Sequence, residues 1–303
     1  MTICSRVMHW TLALSAVSAM GIADAAENGV SVYPAGVETI MPGKMPGAGD
    51  SLFLEFNNFY EANSLAGAKG QSLVPGFHLR VAAVAPKFIH NWGVHALGGD
   101  LVSSLALPIV YEHLDAPFGK AEKVGLSNPD IGVGAVAYVK GSWHWWYGLD
   151  VYTPGAQYHQ GDLLNVGQHY FATAPEAAFT WLPQAGRSEL SSKFQYIVNF
   201  TDPATDYRSG REFVWEYAAM EKLTRNFAAG VNGDYYQQTN EDRQNGAVLA
   251  GTRARSVAIG PELKYHLRHA AVILKYQKEM LVENKTCGNS FWLQIGVPIG
   301  HKE

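Results

Sequence analysis

Cysteine is nearly absent from this chain of 303 residues: Cys4 and Cys287 are the two it has. Cys4 falls in the leader described below, so the mature chain is expected to keep a single thiol and no intrachain disulfide. Charge is sparse as well, with 17% Asp, Glu, Lys and Arg and a net charge of −4. No basic run occurs, which removes the electrostatic footing for binding nucleic acid. Past the leader, no apolar stretch reaches the ~20 residues that a membrane-spanning helix requires, which excludes a helical inner-membrane protein. Catalytic signatures are missing too: there is no Gly-x-Ser-x-Gly elbow, no His-Glu-x-x-His pair and no phosphate-binding loop. Gly132-x-Gly134 has no helical pattern behind it, and His78, His90 and His95 fall on different faces or turns of one predicted hairpin, a poor arrangement for a metal. No cofactor is implied, and an enzyme is not expected.

What the chain does have begins with an export signal. Arg6 is followed by an apolar run from Trp10 to Met20, too short to anchor in a bilayer, and a small-x-small site, Ala23-Asp24-Ala25. Residues 1–25 therefore read as a signal peptide. Residues 26–50 carry too many breakers for a helix or strand, including Tyr33-Pro34-Ala35-Gly36 and Met41-Pro42-Gly43-Lys44-Met45-Pro46-Gly47. This irregular N-terminal segment is expected either to plug a barrel or to trail in the periplasm.

From residue 51 to 303 the pattern changes to segments of about ten residues with alternating polarity, separated by long and short connections in turn. The clearest is 189–200, where Leu190, Phe194, Tyr196, Val198 and Phe200 alternate with Glu189, Ser191, Lys193, Gln195 and Asn199. Short turns are expected near 90–93, 141–142, 183–186, 224–226 and 268–269, and long loops at 61–76, 112–127, 154–168, 201–210 and 239–251. Aromatic residues make up 12% of the chain, and several sit near strand ends, among them Trp92, Trp143, Trp181 and Phe291. Aromatic girdles of a membrane barrel have that placement. The fold class is all-β: a transmembrane antiparallel β-barrel of about twelve strands, with both termini periplasmic, in a bacterial outer membrane.

If the apolar face of each strand meets outer-membrane lipid, the opposite face lines the lumen. That places Glu55, Arg80, Asp150, Glu176, Lys193, Gln195, Glu216, Glu262, Lys264, Lys275 and Glu279 inside, where charges of both signs are expected to pair across strands. Outside the membrane, Tyr207 and Arg208 in Asp206-Tyr207-Arg208-Ser209-Gly210 could meet an aromatic ring by stacking; turn chemistry from Asp202-Pro203 and Gly210 accounts for the same residues.

Several stretches carry a family resemblance: Tyr33-Pro34-Ala35-Gly36-Val37-Glu38, Phe59-Tyr60-Glu61-Ala62, Asn128-Pro129-Asp130-Ile131-Gly132-Val133-Gly134, Asp206-Tyr207-Arg208-Ser209-Gly210-Arg211-Glu212-Phe213, Gly233-Asp234-Tyr235-Tyr236-Gln237-Gln238 and Leu274-Lys275-Tyr276-Gln277-Lys278-Glu279. The chain resembles the family of bacterial outer-membrane barrels named for the meta-pathway of phenol degradation, related to hydrocarbon-uptake barrels. The resemblance implies passive uptake of small hydrophobic or aromatic compounds and brings no catalytic residues with it. The chain departs from many such barrels in ending Gly300-His301-Lys302-Glu303 rather than on an aromatic residue. A barrel that is structural or binds a partner without transport is the alternative expectation, followed by an interfacial lipid-modifying enzyme.

Overall fold

The computed structural model describes residues 31–155 and 157–300. The expected signal peptide, Cys4, residues 26–30 and the last three residues lie outside the described part. Seventeen strands follow one another: β1 (Ser51–Leu65), β2 (His78–Ala96), β3 (Gly99–Ala106), β4 (Ile109–Ala116), β5 (Gly119–Leu126), β6 (Asp130–Lys140), β7 (Trp143–Tyr152), β8 (Ala172–Trp181), β9 (Ser188–Asn199), β10 (Tyr207–Arg208), β11 (Glu212–Lys222), β12 (Phe227–Gln238), β13 (Asp242–Gln244), β14 (Ala247–Leu249), β15 (Arg255–His266), β16 (Ala271–Glu283) and β17 (Thr286–Ile299). Twelve of them (β1–β3, β6–β9, β11, β12 and β15–β17) form an antiparallel ring. The ring is closed because β1 pairs with β17 on one side and β2 on the other. Closure leaves no free edge in the hydrocarbon, the condition for crossing a bilayer with strands.

Short turns collect at the end of the barrel that holds Ser51 and Ile299. Leu97-Gly98 and Gly141 take positive φ there, as do Gln184 and Ala185 in the turn at Pro183–Gly186. Long connections collect at the other end, where β10, β13 and β14 make a small sheet of their own. By the usual asymmetry of such barrels the short turns are periplasmic and the long loops face outward.

Three connections differ from the sequence expectation. The turn after β2 is Leu97-Gly98, not 90–93; the latter stretch lies inside β2, where the register with β3 shifts between Asn91 and His95. The third barrel strand ends at Ala106, because Leu107-Pro108 interrupts it and Pro108 has no N–H to offer a ladder. Residues 112–127, expected as a loop, instead belong to the β4–β5 hairpin, which leans on the outer half of β2 through pairs from His78↔Asp115 to Val84↔Ile109. Finally, Cys287 is buried beside Ala66 and Val282.

Side-chain facing follows the alternation on most strands and departs from it on three. In β6 a bulge between Gly132 and Gly134 puts two residues opposite one on β7. One extra residue turns every later side chain to the other face, and Tyr138 lies outside, stacked on Trp145. In β1 and β2 the expected faces are inverted. Phe59, Val84 and Phe88 are exposed on the outer wall, while Leu52, Leu54, Phe56, Leu79, Val81 and Ala83 point into the lumen.

Candidate functional site

Residues 31–50 run through the lumen from its outer end to its periplasmic end. Ser31 hydrogen-bonds Glu212 at the outer end of β11, and the Tyr33 hydroxyl donates to Glu216 at 2.8 Å. Further down, the Met41 N–H donates to Glu189 (3.0 Å), the Gly43 N–H to the Thr180 hydroxyl (3.1 Å), and the Trp146 indole to the Pro42 carbonyl (2.6 Å). Asn91 holds the Pro46 carbonyl at 2.9 Å just before the chain enters β1. The described part of the N-terminal segment thus starts at the outer end, not in the periplasm where the N-terminus was expected.

Halfway down, a belt of charged side chains grips this segment. Glu38 receives Lys87 at 2.7 Å on one carboxylate oxygen and Lys193 on the other. Lys193 also pairs with Glu176 at 2.7 Å, and Gln195 donates to both Glu176 (2.9 Å) and the Tyr152 hydroxyl (2.6 Å). Across the lumen, Lys275 donates to the carbonyls of Gly36 (2.6 Å) and Val37 (2.9 Å), and Lys264 pairs with Glu189. Lys193 and Lys275 additionally lie over the rings of Tyr33 and Trp292, 4.8 and 5.0 Å from their centres. Burial of Lys87, Lys193, Lys264, Lys275 and Glu38 is tolerated at this depth because each finds a partner of opposite sign or a carbonyl, whereas neither carboxylate oxygen of buried Glu262 has a hydrogen-bond partner among the described residues.

Of the expected lumen residues, Asp150, Glu176, Lys193, Gln195, Glu216, Glu262, Lys264 and Lys275 are buried in the lumen. Glu262 lies opposite Lys275 in the β15–β16 ladder. Glu279 is nearer the outer end, where it accepts from Tyr60 (2.8 Å) and pairs with Lys285 (3.1 Å). Glu55 is instead on the outer wall beside Asn57, and Arg80 is outside as well, paired with Glu61 at 3.4 Å. Both corrections have one cause: β1 and β2 are apolar on both faces, so hydrophobicity does not say which face is inside. Tyr207 is buried in the loop core with its hydroxyl on Asp242 at 2.6 Å, which leaves Arg208 alone as the exposed member of that pair.

Lys87, Asp130 and Glu38 complete the belt and were not singled out from sequence. Lys87 was hidden at the end of an apolar stretch, Val81-Ala82-Ala83-Val84-Ala85-Pro86, whose facing was misassigned. Glu38 lies in a segment without periodicity, so nothing local marks it as the partner of two lysines.

The belt and the segment divide the lumen into two chambers of about 630 Å³ each. The periplasmic chamber is walled by Leu52, Leu54, Ile89, Val102 and Pro298, and the outer one by Leu79, Val81, Ala83, Val110 and Leu114. Phe56 borders both. Apart from the belt, then, much of the lumen surface is apolar, unlike the polar interior of an aqueous pore.

Comparison with known proteins agrees with this architecture. An outer membrane channel from Pseudomonas putida F1 superposes with a TM-score of 0.73 at 12% identity, covering 85% of this chain and 99% of that one. The NanC porin (TM-score 0.45, 10% identity, 80% and 98% covered) and the β domain of the Bordetella autotransporter BrkA (0.46, 14%, 83% and 99%) are more distant. No curated protein sequence matches the chain. The model of the family described as "Putative MetA-pathway of phenol degradation" matches residues 62–295. The chain, a closed twelve-stranded barrel of the bacterial outer membrane, belongs to that family.

Proposed function

We propose that this barrel admits small hydrophobic, including aromatic, compounds across the outer membrane by passive movement, without a cofactor and without a catalytic step. The apolar inner face of β1, β2 and β4 carries the reading: Leu52, Leu54, Phe56, Leu79, Val81, Val110 and Leu114 line both chambers. Side chains of this kind cost stability when they face water, and a lumen for ions or sugars has no use for them. Apolar pockets of a few hundred Å³ suit a molecule of one or two rings. The family name, with its link to phenol degradation, supports the aromatic part of the reading.

One observation favours a rival in which the barrel does not transport: residues 31–50 span the lumen and are held by buried ion pairs. Proteoliposomes separate the two. Vesicles carrying the refolded protein are expected to take up an uncharged aromatic solute, such as toluene loaded from a water-soluble carrier, several times faster than empty vesicles. Equal rates would sink the uptake reading and favour a structural or partner-binding barrel.

A further inference from the structure

The outer chamber is apolar, yet two carboxylates open into it without a donor. Glu112, on β4, is 7% exposed and lines the chamber beside Val110 and Leu114. Its cross-strand neighbour Lys123 is engaged elsewhere, by Asp162 (2.8 Å) and Asn165 (2.8 Å). Asp234 reaches the same chamber from the other side of the lumen, on β12, and is 3% exposed. The cation in this part of the lumen, Lys285, is taken by Glu279 (3.1 Å) and the Ser256 hydroxyl (3.1 Å). Among the described residues, neither Glu112 nor Asp234 has a hydrogen-bond donor or an ion-pair partner within reach. A buried acceptor without a donor is costly, and a ligand that brings the donor recovers that cost while one lacking it does not.

We propose that the outer chamber is a binding site for an apolar molecule that carries one hydrogen-bond donor, a hydroxyl or an ammonium on a ring-sized body, and that Glu112 selects it. The walls take the ring by burial, and the Glu112 carboxylate accepts from the donor. Molecules of the same size that bear a carboxylate are excluded, since a third negative group would enter beside Glu112 and Asp234 with Lys285 already committed. The inference rests on the uptake reading for its role in the cell, but binding is measured without any flux.

The test uses the full-length protein in lipid nanodiscs, with empty nanodiscs as the reference for partitioning into lipid. Four probes of one shape are titrated by calorimetry: toluene, benzyl alcohol, benzylammonium and benzoate. Benzyl alcohol is expected to bind about tenfold more tightly than toluene, toward the low end of the cost of a buried acceptor left unpaired, and benzoate not measurably. Glu112→Leu should abolish the preference of the alcohol over toluene. Glu112→Gln, whose amide oxygen still accepts, should keep it while weakening benzylammonium. Asp234→Asn serves as a second variant in case Glu112→Leu does not fold, and should reduce benzylammonium binding. Binding of benzoate equal to benzyl alcohol, an unchanged preference in Glu112→Leu, or no binding by any probe overturns the proposal. Selective binding without transport in vesicles would leave this site standing and remove only the uptake reading.

Discussion

At the scale of single residues, Glu38 stands out because one side chain holds the N-terminal segment to two walls at once. Removing one partner from a buried ion pair costs about 3–5 kcal/mol, because the other charge is left stranded. Glu38→Gln weakens the hold on two ammonium groups, Lys87, which keeps only the longer contact to Asp130 (3.8 Å), and Lys193, which keeps Glu176. The expected result is frequent opening in planar bilayers where the parent protein is mostly closed; identical traces would show that Glu38 does not hold the segment. Asp162 is a milder case on the outer side. The hydrogen bond from Lys123 holds its carboxyl below the ordinary value of 3.8. A lowered folded-state value stabilises at pH above the unfolded one and is lost as pH falls through the folded one. The contact between β5 and loop 153–171 should therefore persist from neutral pH down to about 3.8 and weaken only in stronger acid. Hydrogen exchange of that loop, corrected for intrinsic rates, is the check, and loss of protection centred above pH 4 contradicts the assignment. The effect will be small, since Asp162 is 48% exposed and exposed pairs contribute little.

Among the elements, the segment at 31–50 depends on glycine for its close approach to the wall. A Cβ on Gly43 would come within 2.3 Å of the Thr180 backbone nitrogen and 2.5 Å of the Phe179 carbonyl carbon, neither of which can move without opening β8. Gly43→Ala should unseat the segment and raise conductance while the barrel keeps its resistance to denaturation. Gly47→Ala is the control: its Cβ meets only the end of the Asp50 side chain, at 3.2 Å and with no backbone in the way, and should leave conductance unchanged. Strand number, the short-turn end and most inward faces were legible because β7, β9, β11, β12 and β15 each put polar residues on one side and apolar on the other. β9 is the clearest, with Glu189, Lys193 and Gln195 against Leu190 and Phe194. β1 and β2 were not legible, since Leu54, which lines the lumen, and Phe53, which does not, are alike in character. The β6 bulge was hidden because Gly132-Val133-Gly134 reads equally well in either register. The β4–β5 hairpin was missed for a different reason: it stands at the outer half of the wall, and its Glu112, Glu122 and Lys123 look like loop residues when no partner strand is known.

For the molecule as a whole, the lumen combines a polar waist with apolar chambers on either side, and the waist is complete only with residues 31–50 in place. Deleting residues 26–50 removes Tyr33, Glu38 and the backbone carbonyls that Lys275 uses. The truncated barrel should fold, since its ring is closed by β1, β2 and β17, and should conduct ions steadily. A truncated barrel that stays as closed as the parent would mean that the wall itself blocks the lumen. The N-terminal segment is covalently continuous with β1, and they join at the periplasmic mouth through Gly49, at φ 82°, and Asp50. An unseated segment is therefore never lost to bulk solution: tethered by so short a linker, it faces its own docking groove at an effective concentration on the order of millimolar. Opening would then be brief and self-reversing in every molecule, independent of how many barrels share the membrane, whereas a barrel cut at residue 50 would close only as fast as added peptide could find it.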